Sequence, residues 1–261
     1  LFLRFIKDKP IQEVTHNDVS NFLYYCMKER ENSPAALNRK RTALNSFFKH
    51  LIKRDHLNMK NPIDKIDKVV ERPVMREPLS REDIQKIFKY IDEHINERDM
   101  YRASALYGLF YSSGCRISEI YKLDIKDLDF KNNCFKVLGK GNKERRCIFN
   151  EDAKQRILAY LATRTDNLPA LFVSRENNRL SRSAMRNQMK KIAKLAGVTI
   201  NVFPHRIRHT AGDHMRKAKA KIEDIQVFLG HEDPGTTAKI YARGNLVEIR
   251  EQFDKVLTVK Y

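Results

Sequence analysis

Six side chains that could act on a phosphate group are scattered between residues 116 and 241. They are Arg116, Lys140, His205, Arg208, His231 and Tyr241. Arginine and lysine bind anionic oxygens, histidine transfers protons near neutral pH, and a tyrosine hydroxyl can act as a nucleophile. Singly, each has an ordinary interpretation as a surface cation, a capping contact or a partly buried anchor. The residue types alone therefore do not decide a function.

The first two of these side chains are predicted at a helix start and at a turn. Gly114 permits a tight turn just before Arg116, which opens a predicted helix. Residues 127–149 predict a β-hairpin, because two short apolar runs flank a glycine-containing turn. Lys140 lies at the tip of that hairpin, where a long side chain can swing onto a bound backbone.

The other four are predicted at helix ends. His205 and Arg208 are three residues apart at the start of a predicted helix and share one face of it. A helix is predicted to end at Gly230, so His231 follows directly and Tyr241 comes ten residues later.

The charge balance points to a polyanionic partner. Lysine and arginine number 51 against 33 aspartate and glutamate residues, a formal net charge of +18. Such a surplus favours nucleic acid, although a merely basic protein would share it. A membrane surface fits less well, because the basic residues are spread along the chain. The sequence has no apolar run long enough for a membrane span and no secretory pattern.

The four cysteines predict a reduced protein. They have neither CxxC spacing nor a metal-ligand pattern. We therefore expect an intracellular protein with free thiols. Cys134 and Cys147 could face each other across the predicted hairpin, without any need for a bond.

Residues 1–70 predict a helical domain. Thr15 and Ser33 are predicted N-caps, and the second opens a helix that reaches about Arg54. The polar face of this helix would suit either DNA contact or simple solvation. Its candidate DNA-contact residues are Arg39, Thr42, Ser46, Lys49 and Lys53. Residues 71–79, with two prolines and no helical period, predict a linker.

Residues 80–261 predict a larger domain, mainly α with a small antiparallel β-sheet. Ser80 opens a helix, others are expected from about Asp99 to Gly114 and from Arg116, and a short strand is expected at 171–174. Ser181 caps a helix with a cationic stripe that could follow phosphates or enter a major groove, or simply be solvated. The stripe consists of Arg182, Arg186, Lys190 and Lys194.

Five ordered segments closely resemble the tyrosine recombinase family, which includes phage integrases and Xer-type recombinases. They are SGCRISEI, VLGKGNKERR, PHRIRHT, FLGHEDPGTT and IYAR. The helical N-terminal part and the proline-bearing linker fit as well, so the resemblance covers essentially the whole chain. It implies a two-domain, C-shaped DNA clamp with a core-binding domain at 1–70 and a catalytic domain at 80–261. Because the chain begins at Leu1, an N-terminally truncated core-binding domain is compatible with the sequence.

The resemblance also implies a reaction and a role for each side chain. DNA would be cleaved without hydrolysis through a 3′-phosphotyrosyl intermediate on Tyr241, with no metal and no other cofactor. Arg116 and Arg208 would stabilise the phosphorus transition state, and Lys140 would protonate the leaving oxygen. The remaining expectations are a base or proton relay at His205, a phosphate contact at His231 and a structural carboxylate at Glu119.

The implied partners are a double-stranded DNA recombination site and other copies of the chain. In the family a C-terminal helix, here about 245–257, docks on a neighbouring protomer in a tetramer on two duplexes; packing on its own domain is the alternative. We expect a cytoplasmic, nucleoid-associated enzyme of integration, excision or dimer resolution. The competing hypotheses are a type IB topoisomerase-like enzyme that relaxes DNA and a catalytically silent DNA-binding protein of the same fold.

Overall fold

The chain divides into two compact units, residues 1–75 and residues 76–261, each with a hydrophobic core of its own. The computed structural model describes residues 1–7, 9–70, 77–94, 98–138, 144–230 and 254–259. None of the described helices is both long and apolar enough to cross a membrane.

The first unit is helical, as predicted. Its helices are α1 (Phe2–Phe5), α2 (His16–Lys28) and α3 (Pro34–Arg54), with a 3-10 turn at Ile11–Glu13. Thr15 caps α2 in a capping box with Asp18, and Ser33 caps α3 ahead of a proline at its first position. Phe22 and Phe48 are buried where α2 meets α3. Local capping signals therefore set both helix starts.

The second unit is built around one buried helix. Its helices are α4 (Arg81–Glu93), α5 (Arg98–Ser113), α6 (Ile117–Lys122), α7 (Glu151–Ala162), α8 (Arg182–Leu195), α9 (Pro204–Lys217) and α10 (Ile222–Leu229). Helix α5 packs against α4, α7, α8 and α9, and every residue from 102 to 115 is buried. A helix covered on all sides must be largely apolar all round, as this one is.

A three-stranded antiparallel sheet lies beside these helices. Its strands, in spatial order, are β1 (Leu128–Asp129), β2 (Cys134–Leu138) and β3 (Glu144–Ile148). The predicted hairpin is confirmed as β2 and β3, whereas the two-residue β1 was not predicted. In the register, Phe135 is opposite Cys147 and Cys134 is opposite Ile148.

That register overturns the expectation that Cys134 and Cys147 could face each other. Side chains alternate between the two faces of a strand, so a one-residue offset places these thiols on opposite faces. Cys147 instead lies beside Cys115, with the sulfur atoms 3.3 Å apart. All four cysteines are buried, and none of them forms a disulfide.

The strand predicted at 171–174 is also wrong. Only isolated bridges form there, between Asp124 and Ala170 and between Val173 and Arg179. The extended segment is held by single backbone bonds, such as Leu171 N–H to the Leu123 carbonyl. Without a continuous partner strand, an apolar run cannot form a ladder.

The described end of the C-terminal segment packs on its own unit. Residues 254–257 are helical, and Leu257 is only 1% exposed within the core. Asn150 Nδ2 donates to the Leu257 carbonyl, and Arg81 Nη1 donates to the Val256 carbonyl. These contacts are those expected for packing on its own domain, and docking of the 245–257 helix on a neighbouring protomer stays a prediction. The rest of the helix predicted at 245–257 lies outside the described residues.

Most of the predicted linker, residues 71–76, likewise lies outside them. Its last residue, Leu79, belongs to the core of the second unit. Leu79 is fully buried, its N–H donates to Thr210 Oγ1, and its carbonyl lies 3.0 Å from His214 Nε2.

Candidate active site

A glycine turn delivers Arg116 to the start of α6. Gly114 has a φ of +59°, and a Cβ added to it would lie 2.6 Å from Phe228 Cε1. Both the left-handed backbone and the close approach of Phe228 therefore require glycine. Arg116 follows as the N-cap residue, with its side chain 42% exposed.

Glu119 holds this turn in place. Its carboxylate is 4% exposed and accepts from the Arg116 backbone N–H at 2.7 Å and from Arg116 Nη1 at 3.2 Å. Arg145 Nη2 donates to the same carboxylate at 2.9 Å. Burial alone would raise the pKa of Glu119, but the charge and hydrogen bond of Arg145 and the amide of Arg116 lower it below the ordinary value. Such contacts support the structural role predicted for this carboxylate.

The end of α10 brings Arg208 and Arg116 together. Arg208, on α9, is 5% exposed and donates to the Gly114 carbonyl at 2.5 Å and to the Leu229 carbonyl. Arg116 Nη2 donates to the next carbonyl, that of Gly230, at 3.2 Å. The last carbonyls of a helix lack helical partners and carry partial negative charge, so they can receive two guanidiniums side by side.

This arrangement concentrates positive charge. Burial, together with the charges of Arg116 and Arg145, lowers the pKa of Arg208 to about 10. Within the described part of the chain, Arg208 bonds to carbonyl oxygens and forms no ion pair with a carboxylate. A buried cation that bonds carbonyl dipoles and lies beside two further guanidiniums will attract an anion to the site.

Arg145 is a site residue that the sequence reasoning missed. It lies on β3, where the exposed Arg146 and the buried Cys147 follow it. The period-two alternation of that strand turns Arg145 to the same face as Cys147. This alternation was the available signal, but the partner Glu119 is 26 residues away in the chain.

The other predicted catalytic residues fall into two groups. His205 is exposed in the first turn of α9, one turn before Arg208. The structure thus places Arg116, Glu119 and Arg208 in one cluster, with His205 on the same helix as Arg208. Lys140, His231 and Tyr241 lie outside the described residues.

The predicted DNA-contact residues form two exposed sets, one on each unit. On α3 every member of the set is exposed, namely Arg39, Thr42, Ser46, Lys49 and Lys53. On α8 Met185 and Met189 are buried, while the cationic stripe of Arg182, Arg186, Lys190 and Lys194 is exposed. The Arg182 guanidinium carbon lies 5.6 Å from the centre of the Tyr121 ring. Exposure leaves both DNA contact and solvation open, so these assignments stay predictions.

Comparison with known sequences identifies the family. Residues 76–246 match the phage integrase family, and residues 1–57 match the N-terminal SAM-like domain of phage integrases. The chain is 33% identical over 233 residues to the tyrosine recombinase XerC of Thermodesulfovibrio yellowstonii, covering 85% of this chain and 76% of that protein. It is 26% identical over 263 residues to the tyrosine recombinase XerD of Oceanobacillus iheyensis, covering 97% and 86%.

A solved structure shows the same fold. The Tn1549 transposon integrase, in complex with circular intermediate DNA, superposes with a TM-score of 0.66 at 22% identity, covering 94% of this chain and 86% of that one. The mainly helical fold with its small antiparallel sheet is therefore confirmed as that of the integrases. The chain belongs to the phage integrase family of tyrosine recombinases.

Proposed function

We propose that this protein is a site-specific DNA recombinase that breaks and rejoins strands through a 3′-phosphotyrosyl bond to Tyr241. The observation that carries the proposal is the cluster of Arg116, Arg145 and Arg208 around one buried carboxylate, Glu119. The three guanidiniums carry more positive charge than Glu119 can neutralise. The excess charge can bind a scissile phosphate. Its relatives XerC and XerD are named tyrosine recombinases.

Charge stabilisation falls to Arg116 and Arg208. The pentavalent transition state carries extra negative charge on its non-bridging oxygens, to which forked guanidinium donors are well suited. Arg208 is already desolvated and fixed by two carbonyls. Its side chain and surroundings therefore need little reorganisation when that charge develops. Arg116, 42% exposed, lies on the solvent side of the pair.

Proton transfers complete the reaction. The Tyr241 oxygen attacks phosphorus, its proton passes to His205, and the bond to the 5′-oxygen breaks as Lys140 protonates that oxygen. A free tyrosine has a pKa near 10 and needs such a base at neutral pH. In the reverse direction a 5′-hydroxyl attacks the phosphotyrosine, so the bond energy is retained. His231 would hydrogen-bond the phosphate.

The DNA would be held by both units and exchanged between protomers. The exposed rows on α3 and α8 would contact phosphates or groove edges. A four-protomer synapse on two duplexes would bring the exchanging strands together. The reaction would take place in the cytoplasm, on the DNA of the nucleoid. Since Leu257 packs on its own unit, any exchanged segment would lie before it, within 245–253.

Covalent capture on a DNA library tests the proposal. The protein is incubated with nicked duplexes of randomised sequence. Cleavage near the nick releases a short fragment that carries the 5′-hydroxyl, and once this fragment diffuses away the covalent intermediate cannot be rejoined. We expect denaturation-resistant adducts enriched in one sequence family. DNA that binds without forming an adduct would contradict the proposal and favour the silent DNA-binding protein.

A second assay separates recombination from relaxation. Two copies of the captured sequence are placed on one supercoiled plasmid, and products are resolved by gel after restriction digestion. We expect deletion or inversion between the two copies. Relaxed plasmid without recombinants would instead identify a topoisomerase-like enzyme.

A further inference from the structure

One arginine of the site is not accounted for by the roles above. Arg145 lies on β3, the strand that leads from the hairpin tip back into the core, opposite Val137 of β2. Its side chain is 16% exposed. It therefore links the hairpin that carries Lys140 to the rest of the site.

The guanidinium of Arg145 lies between Glu119 and Gly230, with Cys115 Sγ 3.8 Å from Nη2. Nη2 donates to Glu119 Oε2 at 2.9 Å, the oxygen that also accepts the Arg116 backbone N–H at 2.7 Å. On its other side it packs against Gly230, where an added Cβ would collide with the Cζ and Nη1 of Arg145. Gly230 has a φ of +58°, ends α10 and immediately precedes His231.

Two guanidiniums share the buried Glu119 carboxylate. Arg145 does most to hold it ionised, through its charge and its hydrogen bond, and Arg116 adds a second guanidinium and a backbone amide. Arg145 also brings a further like charge towards Arg208, whose pKa it helps to lower. Glu119 cannot balance all three cations, so the cluster keeps Arg145 at an electrostatic cost that charge balance alone does not explain.

We propose that Arg145 is a positioning residue that clamps Glu119, and through it Arg116, against the Gly230 turn. The clamp fixes the carboxylate so that Arg116 presents a constant geometry to the phosphate. It also holds the Gly230 turn, which His231 follows in the sequence. The inference rests on the proposed function, because it assigns a role within that reaction.

Single-turnover cleavage of a nicked duplex carrying the captured sequence, with saturating protein, tests the clamp. We expect Arg145→Met to slow adduct formation about 100-fold, while its DNA affinity stays within about threefold of wild type. Arg145→Lys should recover part of the rate, since an ammonium can reach Glu119 but cannot form the same planar contact with Gly230. The matched control is Arg146→Met, which removes the same charge from the exposed side of β3 and should react at nearly the wild-type rate.

Two further measurements separate positioning from general loss of structure. Rates are compared at a temperature where circular dichroism shows every variant folded. A methylphosphonate at the scissile position removes one anionic oxygen, so the defect of Arg145→Met should shrink on it if Arg145 acts through the phosphate-binding arginines. Arg145→Met and Glu119→Gln should also be strongly non-additive, because they break one unit.

The outcomes are distinguishable. An adduct rate for Arg145→Met equal to wild type, or an equal defect on the phosphate and the methylphosphonate, would overturn the positioning role alone. If the wild-type protein forms no adduct on any library duplex, the proposed function itself fails.

Discussion

At the scale of single residues, the described part of the site is defined by three guanidiniums around one carboxylate, that of Glu119. Arg208 is held by two main-chain carbonyls, and its depressed pKa of about 10 reflects burial beside Arg116 and Arg145. A residue in that state is costly in the free protein but is ready for a phosphate. Preorganised charge of this kind lowers the barrier without reorganisation during the reaction.

Replacing Arg208 by lysine tests this directly. Arg208→Lys keeps the charge but cannot donate to both carbonyls and to phosphate oxygens at once. We expect the single-turnover adduct rate to fall about 100-fold or more. The control is Arg164→Lys, because the Arg164 side chain is also buried but bonds Asp166 and the carbonyls of Leu168, Ala170 and Leu171, none of which belongs to the cluster. If the two substitutions slow the reaction equally, the special role of Arg208 is refuted.

Sequence predicted these residues unevenly. Arg116, Arg208 and Glu119 were found because they belong to short motifs with recognisable neighbours. Arg145 was missed, since its partners Glu119 and Gly230 are distant in the chain and meet it only in the folded unit. Side-chain alternation along β3 predicts which way Arg145 points but not what it meets.

At the scale of elements, helix starts were predictable and sheet pairing was less so. Thr15, Ser33, Ser80 and Ser181 all cap helices as expected, because a cap is a contact between residues three apart. The strand β1 was not predicted, and the strand predicted at 171–174 does not form. Whether a short extended run forms a ladder depends on a distant partner that the local pattern does not contain.

The turn before Arg116 allows a matched pair of substitutions. Gly114 and Gly197 both have positive φ, but a Cβ at Gly114 meets Phe228, whereas at Gly197 it meets nothing within 4 Å. We expect Gly197→Ala to lower the free energy of unfolding by about 1 kcal/mol from backbone strain alone. Gly114→Ala should cost about 1–3 kcal/mol more from overpacking. Equal losses in urea denaturation would show that Phe228 yields at no cost.

The C-terminal segment offers a second prediction at this scale. Leu257 is buried in its own unit, so Leu257→Ala should lower the free energy of unfolding by about 2–4 kcal/mol. The loss should not depend on protein concentration, as cis packing requires. Leu195→Ala, at a residue 53% exposed on α8, is the control and should change little. A loss that appears only at high concentration would indicate docking on another protomer.

At the scale of the whole molecule, the surplus of basic residues should govern DNA affinity. With a net charge of +18, binding should weaken steeply with salt, each neutralised phosphate contributing about −0.9 to the log–log slope. If the α8 stripe contacts phosphates, Arg186→Ala combined with Lys190→Ala should make that slope shallower by about 2. Fluorescence anisotropy over a salt series measures it. A slope unchanged by this double substitution would show that the stripe is only solvated.

The central claim is that Tyr241 becomes bonded to DNA, and peptide mapping of the trapped adduct tests it most directly. The adduct on the captured duplex is digested with trypsin and nuclease, and the peptide carrying the nucleotide remnant is sequenced by mass spectrometry. We predict a single modified residue, Tyr241, and no adduct from the Tyr241→Phe variant, although that variant should still bind the duplex. A nucleotide attached to any other residue, or an adduct that persists in Tyr241→Phe, would contradict the mechanism.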